Sequence, residues 1–188
     1  MAKFGHKLMK QTSFIIFFFI FLVALIPKQI YAQSADFNSQ SVVSMEEENK
    51  RIQILSSYLS AQNSPLAGNA KDFIESATKY NLDWRLLPSI AGVESSFGLA
   101  EPIGSYNSFG FGIYGNNYQT FSSYKNAIDT VAKTLSQTYI GQYKAQNIYQ
   151  IGSLYATSPT WAQKVIYYMN DIENYSNAST VGKLSLSL

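Results

Sequence analysis

Beyond an apolar N-terminal segment, hydrophobic residues recur every three or four positions along most of the chain, which is the spacing of amphipathic helices. Ile52, Leu55, Tyr58 and Leu59 keep this period after Glu46, Glu47 and Glu48, whose charge suits a helix N-terminus, and the stretch Gln62 to Gly68 breaks it. Asn69 is placed to cap a helix with Phe73, Ile74, Ala77 and Tyr80 on one face. Asp83 is placed to cap the next, which carries Leu86, Leu87, Ile90, Ala91, Val93 and Glu94 and stops near Gly98. Pro88 removes one backbone donor from that helix, which predicts a first turn from Trp84 to Leu87 and a regular helix after it. Helical spacing returns at Tyr124, Ala127, Ile128, Val131, Leu135 and Tyr139, then at Ile148, Ile151 and Leu154. A last helix opens with Ser158 as cap and Pro159 at its first position, and carries Trp161, Val165, Tyr168 and Ile172.

Between Gly98 and Phe121 the period is lost and Gly, Asn, Ser and aromatic residues take over. A stretch of about 23 residues is too long for a mere connector in a compact domain, and such loops usually carry function. The pattern therefore predicts a mainly α fold: five or six helices around a small core, with a short irregular or β-like loop lobe inserted after the central helix. Residues 1–32 form a leader, 33–65 a polar tether containing one helix, 66–175 the folded domain, and 176–188 a disordered tail.

The leader reads as an export signal. Lys3, Lys7 and Lys10 precede the apolar run Phe14 to Ile26, and Ile30-Tyr31-Ala32 supplies a cleavage site before Gln33. The run is 13 residues long, shorter than the ~20 a spanning helix needs, and Pro27-Lys28 stops it. Cleavage gives a secreted or periplasmic domain, and retention gives one anchored at the cell surface, the only case in which a membrane is a partner. The leader also carries four of the 14 basic residues and none of the 12 acidic ones, so the remaining 156 residues have a net charge of −2. That balance removes the electrostatic ground for binding nucleic acid.

Cysteine is absent, and the single histidine, His6, lies in the leader. The exported chain thus lacks thiol nucleophiles, Ser-His-Asp triads and the usual zinc ligands, and no disulfide holds it together. Carboxylate, hydroxyl, amide and aromatic chemistry remain. Gly110-Phe111-Gly112-Ile113-Tyr114-Gly115 matches the dinucleotide pattern G-x-G-x-x-G, but no buried strand precedes it and no helix opens within it. No nucleotide or other cofactor is expected, and these glycines suit turns or close approach of a ligand to the backbone.

The more informative segment is Ala91-Gly92-Val93-Glu94-Ser95-Ser96-Phe97-Gly98. A carboxylate at the C-terminal end of an apolar helix is disfavoured by the helix dipole and by desolvation, and both raise its pKa. A carboxyl that holds its proton toward neutrality is what a general acid requires. The same residue also fits a plain role, facing solvent or hydrogen-bonding the loop.

Leu86 to Gly98 resembles the catalytic-helix segment of the lysozyme-like superfamily, shared by lytic transglycosylases and the bacterial endo-β-N-acetylglucosaminidases of glycoside hydrolase family 73; the helix is lytic transglycosylase-like, whereas Tyr155 to Val165 makes the chain most similar to family 73. Tyr106-Asn107-Ser108-Phe109-Gly110 resembles the family's Asn-x-Phe-Gly element, and Phe121-Ser122-Ser123-Tyr124 its Phe-x-x-Tyr element before the next helix. Tyr155 to Val165 resembles its Tyr-Ala-Thr segment. The likeness runs from about Ala70 to Ile172, with the elements in the expected order. It implies that Glu94 is the general acid, that the lobe forms one wall of a glycan groove, and that Tyr155 reaches the cleft from the opposite side. Ser95, Ser96, Tyr106, Asn107, Phe109 and Tyr114 become the candidates for substrate contact. The lobe's aromatics, Phe97, Phe111, Tyr118 and Phe121 among them, outnumber what so short a loop can bury, which supports stacking on sugars. Core packing competes for each, Phe109 and Phe121 above all, and Asn107 suits either an N-acetyl group or a turn.

The implied protein is an exported monomer that cuts the β-1,4 glycan of peptidoglycan between N-acetylglucosamine and N-acetylmuramic acid. A second carboxylate is the open question. Asp83 lies about 16 Å from Glu94 at ~1.5 Å per helical residue, too far to assist. Asp129, Asp171 and Glu173 read as solvated helix charges. Glu101, the only acidic residue of the lobe, is the remaining candidate. Capture of the cationic centre is open to water held by Glu101, to the substrate's N-acetyl group, or to its 6-hydroxyl, which gives the 1,6-anhydro product of a lytic transglycosylase. A non-catalytic wall-binding module is the alternative from another class.

Overall fold

The computed structural model describes residues 43–112 and 119–185, with side chains as far as Ser179. The expected export segment, the tether up to residue 42, and Tyr114 and Tyr118 lie outside the described residues. The chain divides into two units, Met1–Glu47 and Glu48–Leu188, and of the first only a short stretch of helix is described. Among the described residues no helix is long and apolar enough to cross a membrane.

Helix α1 covers residues 43–61. A 3-10 turn at Pro65–Asn69 leads into α2 (Ala70–Lys79), followed by α3 (Leu86–Ser95), the lobe, α4 (Tyr124–Lys133), α5 (Ile148–Tyr155) and α6 (Trp161–Ser185). The fold is mainly α, as expected. The lobe is irregular throughout its described part, the first of the two forms expected of it, and no strand occurs among the described residues.

The core belongs to α3. Leu87, Ile90 and Ala91 are fully buried, ringed by Phe73 and Ile74 of α2, Ile128 and Val131 of α4, and Val165 and Ile172 of α6. Ile54, Leu55, Tyr58 and Leu59 of α1 are buried too, so the compact unit starts at Glu48 and not at residue 66. Tyr58 donates to Asp171 at 2.7 Å, Arg85 reaches Glu173 at 2.8 Å, and Lys79 and Tyr80 both bond Asp129. These three carboxylates are therefore tertiary staples and not merely solvated charges.

Local chemistry explains the boundaries. A turn at residues 84–85 precedes the regular helix, which starts at Leu86 and so includes part of the turn expected from Trp84 to Leu87; Pro88 occupies the third position of α3, where an N–H has no helical acceptor, so it removes no helical hydrogen bond. Asp83 accepts from the Arg85 N–H at 2.9 Å, in the turn before the helix, whereas Asn69 makes no cap bond. Beyond Lys133, α4 widens into π-helical turns over Thr134–Gln142, where Tyr143 N–H bonds Thr138 O at 2.8 Å. α6 continues through Ser185, ten residues past the expected end of order at 175.

Candidate active site

The last turn of α3 sets the site. Ser96 and Phe97 both take left-handed backbone angles, φ 52° and 60°, with their N–H groups on Gly92 O and Ala91 O. Such angles are unfavourable for residues with side chains. Here they turn the chain sharply, and Phe97 drives into the core edge-on against Tyr58 and Tyr168, at 5.7 and 5.0 Å. Glu94 is left on the final turn, partly buried.

Glu94 is held from two sides. The Trp161 indole Nε1–H, from the first residue of α6, donates to Oε1 at 2.6 Å. On the other side lies Gly110 of the lobe, φ +59°, where a Cβ would sit 2.7 Å from Oε2. Backbone can approach the carboxyl that closely only at a residue without a side chain. Burial pushes the Glu94 pKa above the usual carboxylate range, and the Trp161 hydrogen bond and the charge of Lys164 oppose the shift without cancelling it. The result is a carboxyl that keeps its proton to higher pH than a solvated glutamate does, positioned to give it to an incoming oxygen.

Tyr155, at the end of α5, is near Glu94 but differently engaged. Its hydroxyl donates to Phe109 O at 2.7 Å, its ring stacks on Trp161 at 5.0 Å, and it meets Tyr139 edge-on at 6.2 Å. Burial first, and then the Glu94 charge, push its hydroxyl well above the ordinary tyrosine range, so it is a neutral donor that ties α5 to the lobe. Glu101 is bound inside the lobe. Ser108 donates to Oε2, and Tyr124 of α4 donates to Oε1 at 2.9 Å, so both carboxylate oxygens have hydroxyl partners.

Three residues expected to touch substrate are internal staples instead. Ser95 is buried; its hydroxyl donates to Ser108 O at 2.7 Å and accepts from Gly98 N–H at 2.8 Å. Asn107 is buried, with its amide nitrogen on Phe111 O and Gln119 O and its oxygen on Phe111 N–H, which makes it a loop shaper. Phe109 is buried against Phe73. Phe97 and Phe121 are buried as well, so most of the described lobe aromatics are core. Ser96 and Tyr106 remain exposed, the latter edge-on to Tyr124 at 5.1 Å. Trp161, Gly110 and Lys164 are the site residues that sequence reasoning missed. By its spacing Trp161 is one member of the inner stripe of its helix, and the only signal that could have set it apart is the indole N–H, a donor that a buried tryptophan usually satisfies.

Trp161→Phe keeps the stacking on Tyr155 and removes the donor. A hydrogen bond to a charged group is worth about 1.5–3 kcal/mol, and this one favours the ionised carboxylate. The Glu94 pKa therefore rises further, and the alkaline limb of the pH–rate profile moves to higher pH. A limb that stays in place in Trp161→Phe shows that the indole does not govern the titrating group.

A partly desolvated carboxyl, bonded by an indole and faced by the lobe backbone at Gly110, is placed to act as a proton donor. The family model described as mannosyl-glycoprotein endo-beta-N-acetylglucosaminidase matches residues 70–174; the chain belongs to this glucosaminidase family and is a glycosidase. The match covers the stretch in which the sequence resembles glycoside hydrolase family 73, and bears that resemblance out. A search of curated proteins finds no match.

Proposed function

We propose that the protein is an exported peptidoglycan hydrolase that cuts the β-1,4 bond between N-acetylglucosamine and N-acetylmuramic acid, with Glu94 as general acid. The observation that carries this reading is the Glu94 carboxyl itself, desolvated at the end of α3 and held between Trp161 and Gly110. Its proton goes to the glycosidic oxygen as the C1–O bond breaks, and positive charge develops at C1. Each oxygen of Glu101 accepts one hydroxyl hydrogen, from Ser108 and Tyr124, which anchors this carboxylate within the lobe. We assign capture of C1 to the carbonyl oxygen of the sugar's own N-acetyl group. Water then attacks C1, its proton passes to Glu94, and a reducing N-acetylglucosamine end remains.

The test is digestion of purified peptidoglycan, followed by mass spectrometry of the ends. The expected products carry reducing N-acetylglucosamine, and Glu101→Ala lowers their yield only as far as it loosens the lobe. Dominant 1,6-anhydromuramic ends make the protein a lytic transglycosylase, and strands lacking the N-acetyl group that are cut at full rate exclude its participation. Export rests on residues 1–32, and protein released by a secreting host is expected to begin at or near Gln33. Recovery of only an intact, cytoplasmic chain sinks that part.

A further inference from the structure

A groove of about 520 Å³ lies between the end of α3 and the start of α6. Gly92 and Ser96 line it from α3, and Thr160, Gln163, Lys164 and Tyr167 from the α6 side. The rings of Phe97 and Tyr168 lie against Gly92, where a Cβ would come within 2.7 Å of Phe97, so this wall stays free of a side chain. The groove opens beside the acid: Val93 lines it and precedes Glu94, Trp161 grips Glu94 one turn before Lys164, and the Lys164 charge reaches the Glu94 carboxyl.

Its lining is chemically specific. Lys164 makes no ion pair among the described residues. Another groove of similar size, about 490 Å³ between α2 and α4, differs in this respect: there Lys79 is paired with Asp129 and Lys125 with Asp72. Tyr167 is 65 % exposed and lines the same groove as the lysine. The Gln163 amide nitrogen, oriented to satisfy its surroundings, donates to Pro159 O and Thr160 O at 3.2 Å, and its oxygen remains an acceptor. An unpaired cation, a ring and an amide acceptor together suit a peptide with a carboxylate. Neutral sugars offer the lysine no counter-charge.

We propose that the α3–α6 groove binds the carboxylate-bearing peptide carried on the lactyl group of muramic acid, with Lys164 on a carboxylate and Tyr167 against the peptide's aliphatic atoms. This rests on the peptidoglycan reading above, and gives the enzyme a preference for strands that still bear their peptides.

The experiment compares kcat and KM on two substrates: peptide-bearing glycan strands, and the same strands stripped of peptide by an amidase and then capped as methyl amides at the lactyl carboxylates that the amidase frees. On the first, Lys164→Ala and Tyr167→Ala are both expected to raise KM, the lysine variant about fivefold, the size of one partly exposed charge contact, with Lys164→Arg restoring the lysine's share. In Tyr167→Ala, kcat is kept on the first substrate and both kcat and KM are unchanged on the second. Tyr167→Ala leaves the charge near Glu94 untouched and so reads the groove alone, whereas Lys164→Ala also moves the alkaline limb upward. Equal changes on both substrates, or none on either, overturn the proposal. If the wild type cleaves neither substrate, the hydrolase reading fails, and the groove is decided by titrating a soluble disaccharide-peptide. Binding lost in both alanine variants supports the groove, and binding unchanged overturns it.

Discussion

Glu94→Gln is expected to reduce cleavage of peptidoglycan by about 10²–10⁴-fold, the range that a positioned general acid contributes. Gln keeps the shape and still accepts the Trp161 indole hydrogen, so the loss is that of the transferable proton and not of the scaffold. The same substitution is expected to make the protein more heat-stable at neutral pH. The folded-state pKa of Glu94 lies above its ordinary value, chiefly through burial. Between the ordinary and the raised value the folded state therefore binds more protons than the unfolded one. Stability from this group is fully present below the unfolded pKa and is lost as pH rises through the folded one. At neutral pH the wild type bears the strain of a desolvated charge that the variant lacks. The measurement is lysis rate together with melting temperature at neutral and at acid pH, where the stability difference should shrink. Undiminished lysis assigns the chemistry to another residue, and a variant less stable at neutral pH contradicts the desolvation argument.

Helix positions were legible because burial writes a period into sequence: the stripes read from Phe73, Ile90, Ile128 and Val165 are the residues that fill the core. Glu94 was legible for a related reason, since a lone carboxylate closing an apolar helix stands out against its neighbours. What spacing along the chain does not encode is a contact across it. The Trp161 to Glu94 bond joins residues 67 apart, and nothing in the local pattern of α6 separates that tryptophan from Val165 or Ile172. The same limit hid α1, whose stripe was visible but whose docking onto Asp171 was not.

The lobe misled in the opposite direction. Ser95 and Asn107 look available for substrate because they are polar residues at the edge of an irregular segment and within it. An irregular segment, however, leaves its backbone groups without ladder partners, and buried ones must be satisfied by side chains. Asn107 does this for Phe111 and Gln119, and Ser95 for Gly98 and Ser108. Glu101 joins the same system through Ser108 and Tyr124. The polar residues of the lobe hold its shape, and that shape carries Gly110 to the acid.

Gly110→Ala should therefore disable the enzyme without unfolding it. An alanine at φ +59° incurs the left-handed penalty of about 1–2 kcal/mol. Its Cβ would also stand 2.7 Å from Glu94 Oε2 and 3.4 Å from Cδ. The carboxyl must then swing away, and Trp161 holds its other oxygen at 2.6 Å, so the grip breaks or the lobe lifts. A displacement of about 1 Å at a reacting group can remove about 10² in rate, and that is the loss expected in kcat/KM. Gly104 supplies the control. It sits in the same lobe at φ +73°, and a Cβ there would meet nothing within 4 Å, so Gly104→Ala carries the backbone penalty without touching the acid. Gly104→Ala is expected to lose about 1–2 kcal/mol of stability, the left-handed penalty, Gly110→Ala that penalty and the cost of the displaced carboxyl, and only Gly110→Ala to lose activity. Equal loss of activity in the two would place the effect in general distortion of the lobe, and equal retention would show that the lobe backbone does not set the position of Glu94.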